Sequence, residues 1–342
     1  MRILIATDAW QPQVNGVVRT LEATAHAAAS LGAEVSFLTH EGFPTVGLPS
    51  YPGIRVALPN SREIARRLAN VRPDAIHIAT EGPIGYFVRS DCLANDRPFT
   101  TSLHTRFADY VAARWPIPPK WTWQALRWFH NAGRGTMVST ASLADELRSH
   151  GFHDVLRWPR GVDSALFNPS RARDLSLMRP IFLAVGRLAV EKNVDAFLAL
   201  DLPGSKVVVG DGPARAALAS RYPDATFLGT RRGTELAEIY ASADVFVFPS
   251  RTDTYGLVLL EALASGVPVA GFPVPATQDV VGATPVAVLD DDLRTACLGA
   301  LAIPRSACRQ YAETVTWEAS ARSFLDNLVT VRGLAREPGP AS

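Results

Sequence analysis

The chain has 342 residues, of which 47% are hydrophobic, 20% charged and 8% aromatic. This ordinary globular composition, at this length, favours two domains over one compact core. Thirty-four Lys and Arg residues oppose thirty-three Asp and Glu residues, which gives a formal net charge of +1. No overall basic field therefore favours nucleic acid as a partner, and we expect no nucleic acid to bind.

The three cysteines, Cys92, Cys297 and Cys308, form neither a C-x-x-C pair nor a Cys/His metal-binding spacing. We therefore expect neither a structural zinc site nor a disulfide framework. The chain opens on MRILIAT, an apolar run typical of a buried strand, without the features of a secretory leader. We expect a cytoplasmic protein with no membrane span, for which peripheral attachment to the inner face of the cell membrane stays open.

Short β-rich runs alternate with helical patterns along the chain, which is typical of βαβ units on parallel sheets. A first series predicts a helix over about 17–31 and strands at 3–7, 34–39, 75–78 and 135–138. A second series predicts strands at 181–185, 206–209, 225–228, 245–249 and 267–271. We therefore predict an α/β protein with two doubly wound, Rossmann-like domains.

The stretch FNPSRARDLSLMRP between the two series has the prolines and charges of a linker, and we place the domain boundary at residue 170. The predicted domains cover residues 1–170 and 171–316, followed by a helical tail at 317–342. Ligands of open α/β sheets bind beyond the carboxyl ends of the strands. We therefore expect the chemistry in a cleft between the two domains.

The first candidate motif is Asn15-Gly16, which follows the first strand and precedes a helix. A glycine turn at a helix N-terminus exposes backbone N–H groups that suit a phosphate. Asn-Gly is also a routine turn, so this motif alone does not decide between the two interpretations.

Three strand ends in the second half carry stronger signals. GRLAVEKN places Arg187 and Lys192 after the first strand of the second domain, where two cations suit a diphosphate. VVVGDGP places a turn containing Gly212 after the next strand. We interpret this turn as part of a nucleotide pocket, and the alternative is a simple tight turn.

The third strand end continues as RTDTYGLVLLEALASGVPV. Gly256 and Leu257 would open a helix whose first N–H groups suit a phosphate, and Glu261 lies about one turn inside it. A carboxylate in the apolar run LVLLEALA requires a partner, such as ribose hydroxyls. The alternative is that Asp253 caps the helix and that Glu261 lies on a solvated face.

Together GRLAVEKN, VVGDGP, YASADVFVFPSRTDTYGLVLLEALASGVPV and RGVDSALFNP resemble the retaining glycosyltransferases of family 4, which have the GT-B fold. The resemblance covers nearly the whole chain and is weaker in the first domain, where it includes NGVVRT and SLHTRFADY. It implies an N-terminal acceptor-binding domain facing a C-terminal nucleotide-sugar-binding domain across a cleft. It also implies that the helix in 317–342 crosses back to the first domain.

The resemblance implies that Arg187 and Lys192 bind the donor diphosphate and are the main catalytic groups. Gly16 is implied at a phosphate-facing loop of the donor site, and Glu261 is implied at the ribose of the donor. Retention implies a front-face reaction, in which an oxygen of the leaving diphosphate helps to deprotonate the acceptor hydroxyl, rather than a nucleophilic carboxylate.

The resemblance also implies residues around the transferred sugar. Asp253 would contact the sugar hydroxyls, although the family usually has Glu at this position. Tyr255, Gly256 and Leu257 would supply the adjoining loop, and His104 would face the sugar near its reacting carbon. A structural role is the alternative for this histidine.

The triplet Asp290-Asp291-Asp292 has the composition of the Asp-x-Asp motif that holds a divalent cation in transferases of another fold. Because it precedes LRTACLGAL, we interpret it as the N-cap of a late helix. We expect no catalytic metal and no other cofactor, since the nucleotide sugar is a substrate.

Two rival functions fit the sequence less well than a glycosyltransferase does. A dinucleotide-dependent oxidoreductase would need a G-x-G-x-x-G fingerprint, which neither DAWQPQVNG nor GDGPAR supplies. A non-catalytic sugar-nucleotide or lipid-binding protein would not need Arg187, Lys192, Glu261 and His104 together.

The motifs most resemble the branch of the family that glycosylates membrane lipids, which includes sulfoquinovosyl-, glucosyl- and glucuronosyl-diacylglycerol synthases and mannosyltransferases that use GDP-mannose. The implied donors are of the UDP-glucose, UDP-glucuronate or GDP-mannose type. The segment 106–134, from Arg106 to Arg134, has four tryptophans and five cations against Asp109 alone, which suits an anionic membrane surface. We therefore expect a lipid acceptor such as diacylglycerol. Packing of this segment within its own domain and a soluble acceptor are the alternatives.

Overall fold

The computed structural model describes residues 1–13, 15–48, 51–104, 118–253 and 255–334. The chain divides into two compact units. The first unit comprises residues 1–159 together with the segment that begins at Trp317, and the second comprises residues 160–316.

The first unit is a parallel sheet with helices between its strands. Its strands and the hairpin β3–β4 are β1 (Arg2–Ala6), β2 (Glu34–Leu38), β3 (Thr45–Leu48), β4 (Tyr51–Ala57), β5 (Ala75–Ile78), β6 (Phe99–Ser102), β7 (Thr136–Val138) and β8 (Val155–Arg157). Its helices are α1 (Gly16–Ser30), α2 (Ser61–Val71), α3 (Pro83–Ala94), α4 (Pro119–His130) and α5 (Ala141–Ser149). The strand order of the large sheet is β2-β1-β5-β6-β7-β8.

The second unit repeats this architecture with a sheet in the order β11-β10-β9-β12-β13-β14. Its strands are β9 (Ile181–Val185), β10 (Ser205–Val209), β11 (Thr226–Gly229), β12 (Val245–Phe248), β13 (Val269–Gly271) and β14 (Ala287–Leu289). Its helices are α6 (Val194–Leu198), α7 (Arg215–Arg221), α8 (Gly233–Ser242), α9 (Leu257–Ala264), α10 (Pro275–Val281), α11 (Leu293–Ala300) and α12 (Arg305–Glu313). Single 3-10 turns lie at Pro169–Arg171 and Val190–Lys192.

Burial on both faces explains the continuous apolar runs of the central strands. In β9, Ile181 and Leu183 pack into the core on one face of the sheet. Phe182 and Ala184 pack into the core on the other face. Helices therefore cover both faces, and the predicted α/β class with two parallel-sheet domains is confirmed.

Each sheet reverses its order of construction beside its first strand. The chain passes from β1 to β2 on one side and later returns to place β5 on the other side. In the second unit it passes from β9 to β10 and β11, and then places β12 against the free side of β9. The loops after β9 and β12 therefore leave the sheet at a topological switch point, where open α/β sheets bind ligands.

The sequence patterns do not predict several of the strands. The hairpin β3–β4 and the strands β6, β8 and β14 are not among the predicted elements. The sequence of β6 is Phe-Thr-Thr-Ser, which lacks an apolar run, yet all four residues are buried. Its hydroxyl groups bond to histidines, namely Thr100 to His77 and Thr101 to His130.

The boundary between the units lies at 159/160, earlier than the predicted boundary at residue 170. Val162 and Phe167 pack into the core of the second unit, which ties this stretch to it. The Nη1 atom of Arg309 lies 2.9 Å from the carbonyl oxygens of Ser164, Phe167 and Ala264. These contacts, between residues far apart in the sequence, leave no signal in the local pattern of prolines and charges.

The last helix, α13 (Trp317–Leu334), belongs to the first unit and packs against α1. Its Phe324 is fully buried and lies 4.7 Å, between ring centroids, from the fully buried Trp158. No helix in the described part of the chain is both long enough and apolar enough to cross a bilayer.

Replacing Arg309 with Met tests the anchor that joins residues 160–168 to the second unit. We expect the free energy of unfolding to fall by about 2 kcal/mol, because buried carbonyls lose a charged donor. Urea unfolding gives this value, and faster amide hydrogen exchange in residues 160–168 locates the effect. Arg322→Met is the matched control. Arg309 forms an i,i+4 ion pair with Glu313, and Arg322 likewise pairs with Glu318 but is 62% exposed. An equal loss of stability in both variants would contradict the anchoring role.

Candidate active site

The loop after β9 carries both predicted diphosphate ligands. Arg187 is exposed, and Lys192 ends the short 3-10 turn. The next residue, Asn193, has a left-handed backbone with φ of 52°. Its side-chain amide donates to the Pro249 carbonyl at 3.1 Å. The loop after β9 is therefore fastened to the loop after β12 at the switch point.

An ion pair joins these two loops. The Lys192 Nζ atom bonds to Oδ1 of Asp253, and the two side chains are 31% and 18% exposed. The second carboxylate oxygen of Asp253, Oδ2, is buried and has no hydrogen-bond partner among the described residues. The interpretation of Asp253 as the cap of α9 is wrong, because Gly256 occupies the N-cap.

Hydroxyl groups strengthen the junction of these loops. The carbonyl oxygen of Glu191 lies 3.4 Å from both Ser250 Oγ and Thr252 Oγ1. Together with the ion pair, these contacts hold the cationic loop against residues 249–253.

The Gly212 turn packs directly on the same cationic loop. The Leu188 N–H donates to the Asp211 carbonyl at 2.9 Å, and the Ala214 N–H donates to the Leu188 carbonyl at 3.0 Å. A Cβ atom at Gly212 would lie 2.3 Å from the Leu188 carbonyl oxygen. Glycine is therefore required for close approach of two backbones, in addition to any role in the turn itself.

Gly256 and α9 have the arrangement predicted from the sequence. Gly256 lies at the N-cap with φ of 76°, and Leu257 is the first helical residue. Tyr255 packs against the core of this unit. Because glycine has no side chain to accept from the first N–H groups, the positive end of the α9 dipole is not capped by the residue that precedes it.

Glu261 lies inside α9 and is 3% exposed. The Tyr240 hydroxyl donates to its Oε2 atom at 3.0 Å. The alternative interpretation of Glu261 as a solvated residue is therefore wrong. A buried carboxylate requires hydrogen-bond donors, and Tyr240 on α8 supplies one of them.

In the first unit, Asn15 rather than Gly16 forms the decisive contacts of the turn after β1. Asn15 Oδ1 accepts from the N–H groups of Val17 and Val18, both at 3.0 Å. These N–H groups are thus already satisfied, which corrects the expectation that the turn exposes them. Gly16 is exposed and begins α1.

His104 follows β6 in the first unit and is half-buried. Its Nε2 atom lies 2.8 Å from Ser102 Oγ. Its ring meets the edge of Trp158 with 5.8 Å between centroids.

The sequence analysis did not single out Asp8, which joins the loops at the switch point of the first unit. Its carboxylate accepts from the Ile84 N–H and from Thr80 Oγ1, both at 2.9 Å. Burial raises the pKa of Asp8, and these hydrogen bonds oppose that effect. An Asp directly after the first strand was the available sequence signal.

The acidic triplet caps a helix, as interpreted from the sequence. Asp292 is the N-cap of α11, and its carboxylate accepts from the Arg294 N–H at 3.1 Å and the Thr295 hydroxyl at 2.6 Å. These bonds lower the pKa of Asp292, the Thr295 bond most. Within the described ranges, no three His, Cys, Asp or Glu side chains are grouped so that they could hold a metal ion.

The tryptophans of segment 106–134 differ in exposure. Arg106, Asp109, Arg114 and Trp115 lie outside the described residues. On α4, Trp121 and Trp128 are 59% and 56% exposed. Trp123 instead stacks on His150 with 3.9 Å between ring centroids.

Residues 14–166 match the sequence model of glycosyltransferase family 4, and residues 179–302 match that of the glycosyl transferases group 1. A GDP-mannose-dependent alpha-mannosyltransferase of Corynebacterium glutamicum is 31% identical over 98% of this chain and 90% of its own length. An alpha-monoglucosyldiacylglycerol synthase of Acholeplasma laidlawii is 27% identical over 79% of each chain. A sucrose-phosphate synthase structure from Thermosynechococcus elongatus superposes with a TM-score of 0.78 and 19% identity, covering 97% of this chain and 99% of that one.

These similarities extend along both units and contradict the two rival functions, the oxidoreductase and the non-catalytic binding protein. The chain belongs to glycosyltransferase family 4, has the GT-B fold and is an enzyme that transfers a sugar from a nucleotide-sugar donor.

Proposed function

We propose that this enzyme transfers mannose from GDP-mannose, with retention of anomeric configuration, to a hydroxyl group of a membrane lipid. The donor-site assignment depends on one observation. The loop of Arg187 and Lys192 leaves the sheet at a topological switch point, and the neighbouring strand β12 leads into the N-terminus of α9. GDP-mannose is favoured because the mannosyltransferase relative aligns over almost the full length of both chains. UDP-glucose and UDP-glucuronate are the second candidates.

Positive charge at this edge of the sheet suits a diphosphate leaving group. Arg187 and Lys192 supply two cations, and the N-terminus of α9 adds the positive end of a helix dipole. Negative charge develops on the diphosphate as its bond to the sugar breaks. Cations held in place before the reaction stabilise that charge without reorganisation.

Asp253 is proposed to recognise the transferred sugar. One of its oxygens holds Lys192, and its buried Oδ2 has no hydrogen-bond partner among the described residues. A buried carboxylate oxygen without a donor is costly, and a sugar hydroxyl would supply the missing bond. The same carboxylate would then orient the cation and bind the sugar. Tyr255, Gly256 and Leu257 form the adjoining loop of this proposed site.

Retention is proposed to arise from a front-face reaction. The bond from the anomeric carbon to the diphosphate oxygen breaks while the bond to the acceptor oxygen forms on the same face. The acceptor proton passes to an oxygen of the leaving diphosphate. We propose that this step uses no divalent metal, because Arg187, Lys192 and α9 supply the charge. We propose that Gly212 and Glu261 contact the donor nucleotide, that the turn at Gly16 faces its phosphates, and that His104 faces the transferred sugar.

A donor panel tests this function directly. Purified full-length enzyme is incubated with GDP-mannose, UDP-glucose or UDP-glucuronate, with diacylglycerol vesicles or soluble sugars as acceptors, and with or without EDTA. We expect GDP release and an α-linked mannolipid, identified by NMR, with turnover unchanged by EDTA. Turnover with a UDP-sugar alone, a β-linked product or loss of activity in EDTA would each overturn the corresponding part of the proposal.

Replacing Lys192 or Arg187 with Ala should lower kcat by roughly 10²-fold, since removing one group that stabilises developing charge is typically worth a few kcal/mol. Steady-state kinetics with the best donor gives this value. Arg221→Ala is the control, because Arg221 is 65% exposed, lies at the end of α7 and pairs with Asp195. We expect that variant to keep its turnover. Near-normal turnover of Lys192→Ala would remove the diphosphate assignment.

Glu261→Gln should raise the KM for the donor more than it lowers kcat. A ribose contact is equally strong in the ground state and the transition state, so its loss weakens binding and leaves the chemical step unchanged. Glu318→Gln, at a residue whose side chain is 61% exposed, is the control. A normal KM with a collapsed kcat would show that Glu261 acts on the reacting groups.

The proposed acceptor surface lies on α3 and α4 of the first unit. Tyr86 and Leu93 are 46% and 50% exposed on α3. Trp121 and Trp128, seven residues apart, lie on one face of α4, and Trp128 stacks on Tyr86 with 6.3 Å between ring centroids. These four large exposed apolar side chains, together with Lys120 over the Trp121 ring, favour a membrane over a soluble acceptor.

The double variant Trp121→Ala/Trp128→Ala should bind anionic liposomes more weakly than the wild type. Wild-type binding should weaken but persist as salt rises, because salt screens basic residues but not inserted aromatic rings. Vesicle co-sedimentation measures both effects. Trp123→Phe is the control, because Trp123 is partly covered by His150. If the double variant binds as well as the wild type, a soluble saccharide acceptor is favoured instead.

A further inference from the structure

The strand β6 carries polar side chains in an alternating pattern. Thr100 and Ser102 are alternate residues of β6 and point to the same side, and His104 follows two residues after Ser102. Thr101 points to the other side, where its hydroxyl lies 2.8 Å from Nδ1 of the buried His130. Two separate hydroxyl-to-imidazole contacts therefore lie on opposite faces of β6.

His77, on the neighbouring strand β5, lies opposite Thr100 and is fully buried. Its Nδ1 atom lies 2.8 Å from Thr100 Oγ1, and its Nε2 atom lies 3.1 Å from Ser102 Oγ. Ser102 Oγ in turn lies 2.8 Å from Nε2 of His104. An unbroken chain of hydrogen bonds therefore runs from Thr100 through His77 and Ser102 to His104.

Aromatic rings hold the middle of this chain in place. The His77 ring meets the edges of Trp158 and Phe324, with centroid distances of 5.6 and 5.1 Å. Trp158 also meets His104. An apolar side chain at position 77 would fill this space at lower desolvation cost, so the need to fill it does not by itself account for an imidazole here.

The single hydroxyl hydrogen of Ser102 links the protonation of His77 to that of His104. Ser102 has one hydroxyl hydrogen, so it donates to one histidine and must accept from the other if both bonds are made. When Ser102 donates to Nε2 of His104, His77 carries its proton on Nε2 and His104 carries its own on Nδ1. When Nε2 of His104 is protonated, Ser102 donates to His77, whose proton then lies on Nδ1 and is shared with Thr100.

We propose that His77 and Ser102 are positioning residues that hold the His104 ring and couple its tautomer to that of His77. This inference rests on the proposed function, in which His104 faces the transferred sugar. In both tautomers of His104, and in its doubly protonated form, the contacts of Ser102 with the Nε2 atoms of His77 and His104 can both be hydrogen bonds. The network therefore keeps the ring in one orientation while its protonation changes, as a group beside a reacting carbon requires.

Ser102→Ala and His77→Phe break the chain at its two central links. We expect each variant to change the tautomer populations of His104 in long-range ¹H–¹⁵N spectra of ¹⁵N-histidine-labelled enzyme. We expect kcat to fall roughly tenfold while the donor KM stays within about twofold, since a lost positioning bond of this kind is worth about one hydrogen bond. Ser102→Ala keeps the test informative if His77→Phe does not fold.

Thr101→Val is the matched control. It removes a hydroxyl that bonds to a buried imidazole from the same strand, one residue away, on the side of His130. We expect it to lower stability but to leave the His104 spectrum and kcat unchanged. Similar effects of Thr101→Val and Ser102→Ala on both readouts would reduce the chain to a general packing role and overturn the inference.

His104→Ala separates this inference from the proposed function. If His104→Ala retains turnover, the proposed role of His104 at the sugar is wrong, whatever the spectra of the other variants show. If His104→Ala is inactive but Ser102→Ala and His77→Phe keep wild-type spectra of His104, the positioning inference alone is overturned. Altered spectra with unchanged kcat would also overturn it.

Discussion

Parallel pairing of β9 with β10 on one side and β12 on the other is the constraint on which the candidate donor site depends. Parallel strands send all of their carboxyl ends to one edge of the sheet, so loops far apart in sequence emerge side by side. The chain adds β10 and β11 on one side of β9 and then β12 on its other side. The loops after β9 and β12 therefore leave the same edge of the sheet beside each other. Residues 186–193 and 249–253 become neighbours for this reason, although about sixty positions separate Lys192 from Asp253.

The ion pair between Lys192 and Asp253 then gives this edge its chemistry. Both side chains are partly buried, so the pair is less screened by water than an exposed one, and its partners cost more to desolvate. Such a pair is weak support for stability. Its value lies in holding a cation where the loop, Gly212 and the N-terminus of α9 converge. In the proposed function, a bound diphosphate would add a second anion to the same cation, so donor binding would be coupled to the orientation of Asp253.

Sequence patterns predict most of the fold because buried parallel strands are uniformly apolar, as in Ile181–Val185. They do not reveal β6, whose stability comes from hydroxyl and imidazole partners on other elements. The local motifs likewise predict a cation loop, a glycine turn and the start of α9, since each is encoded within a few residues. The Lys192–Asp253 pair, the Tyr240 hydroxyl on Glu261 and the anchor of Arg309 are contacts between distant segments, for which a single sequence has no local signal.

Different groups join the loops at the switch points of the two units. In the second unit, exposed and partly buried cations stand where negative charge is expected to develop. In the first unit, Asp8 draws the loops after β1 and β5 together through backbone and hydroxyl donors, and burial raises its pKa. His104 lies two strands away from Asp8, at the end of a chain of hydroxyl and imidazole groups. Asp8 joins the loops after β1 and β5 through one carboxylate, whereas Ser102 links His77 on β5 to His104 after β6, so two separate sets of hydrogen bonds hold neighbouring parts of this edge of the sheet.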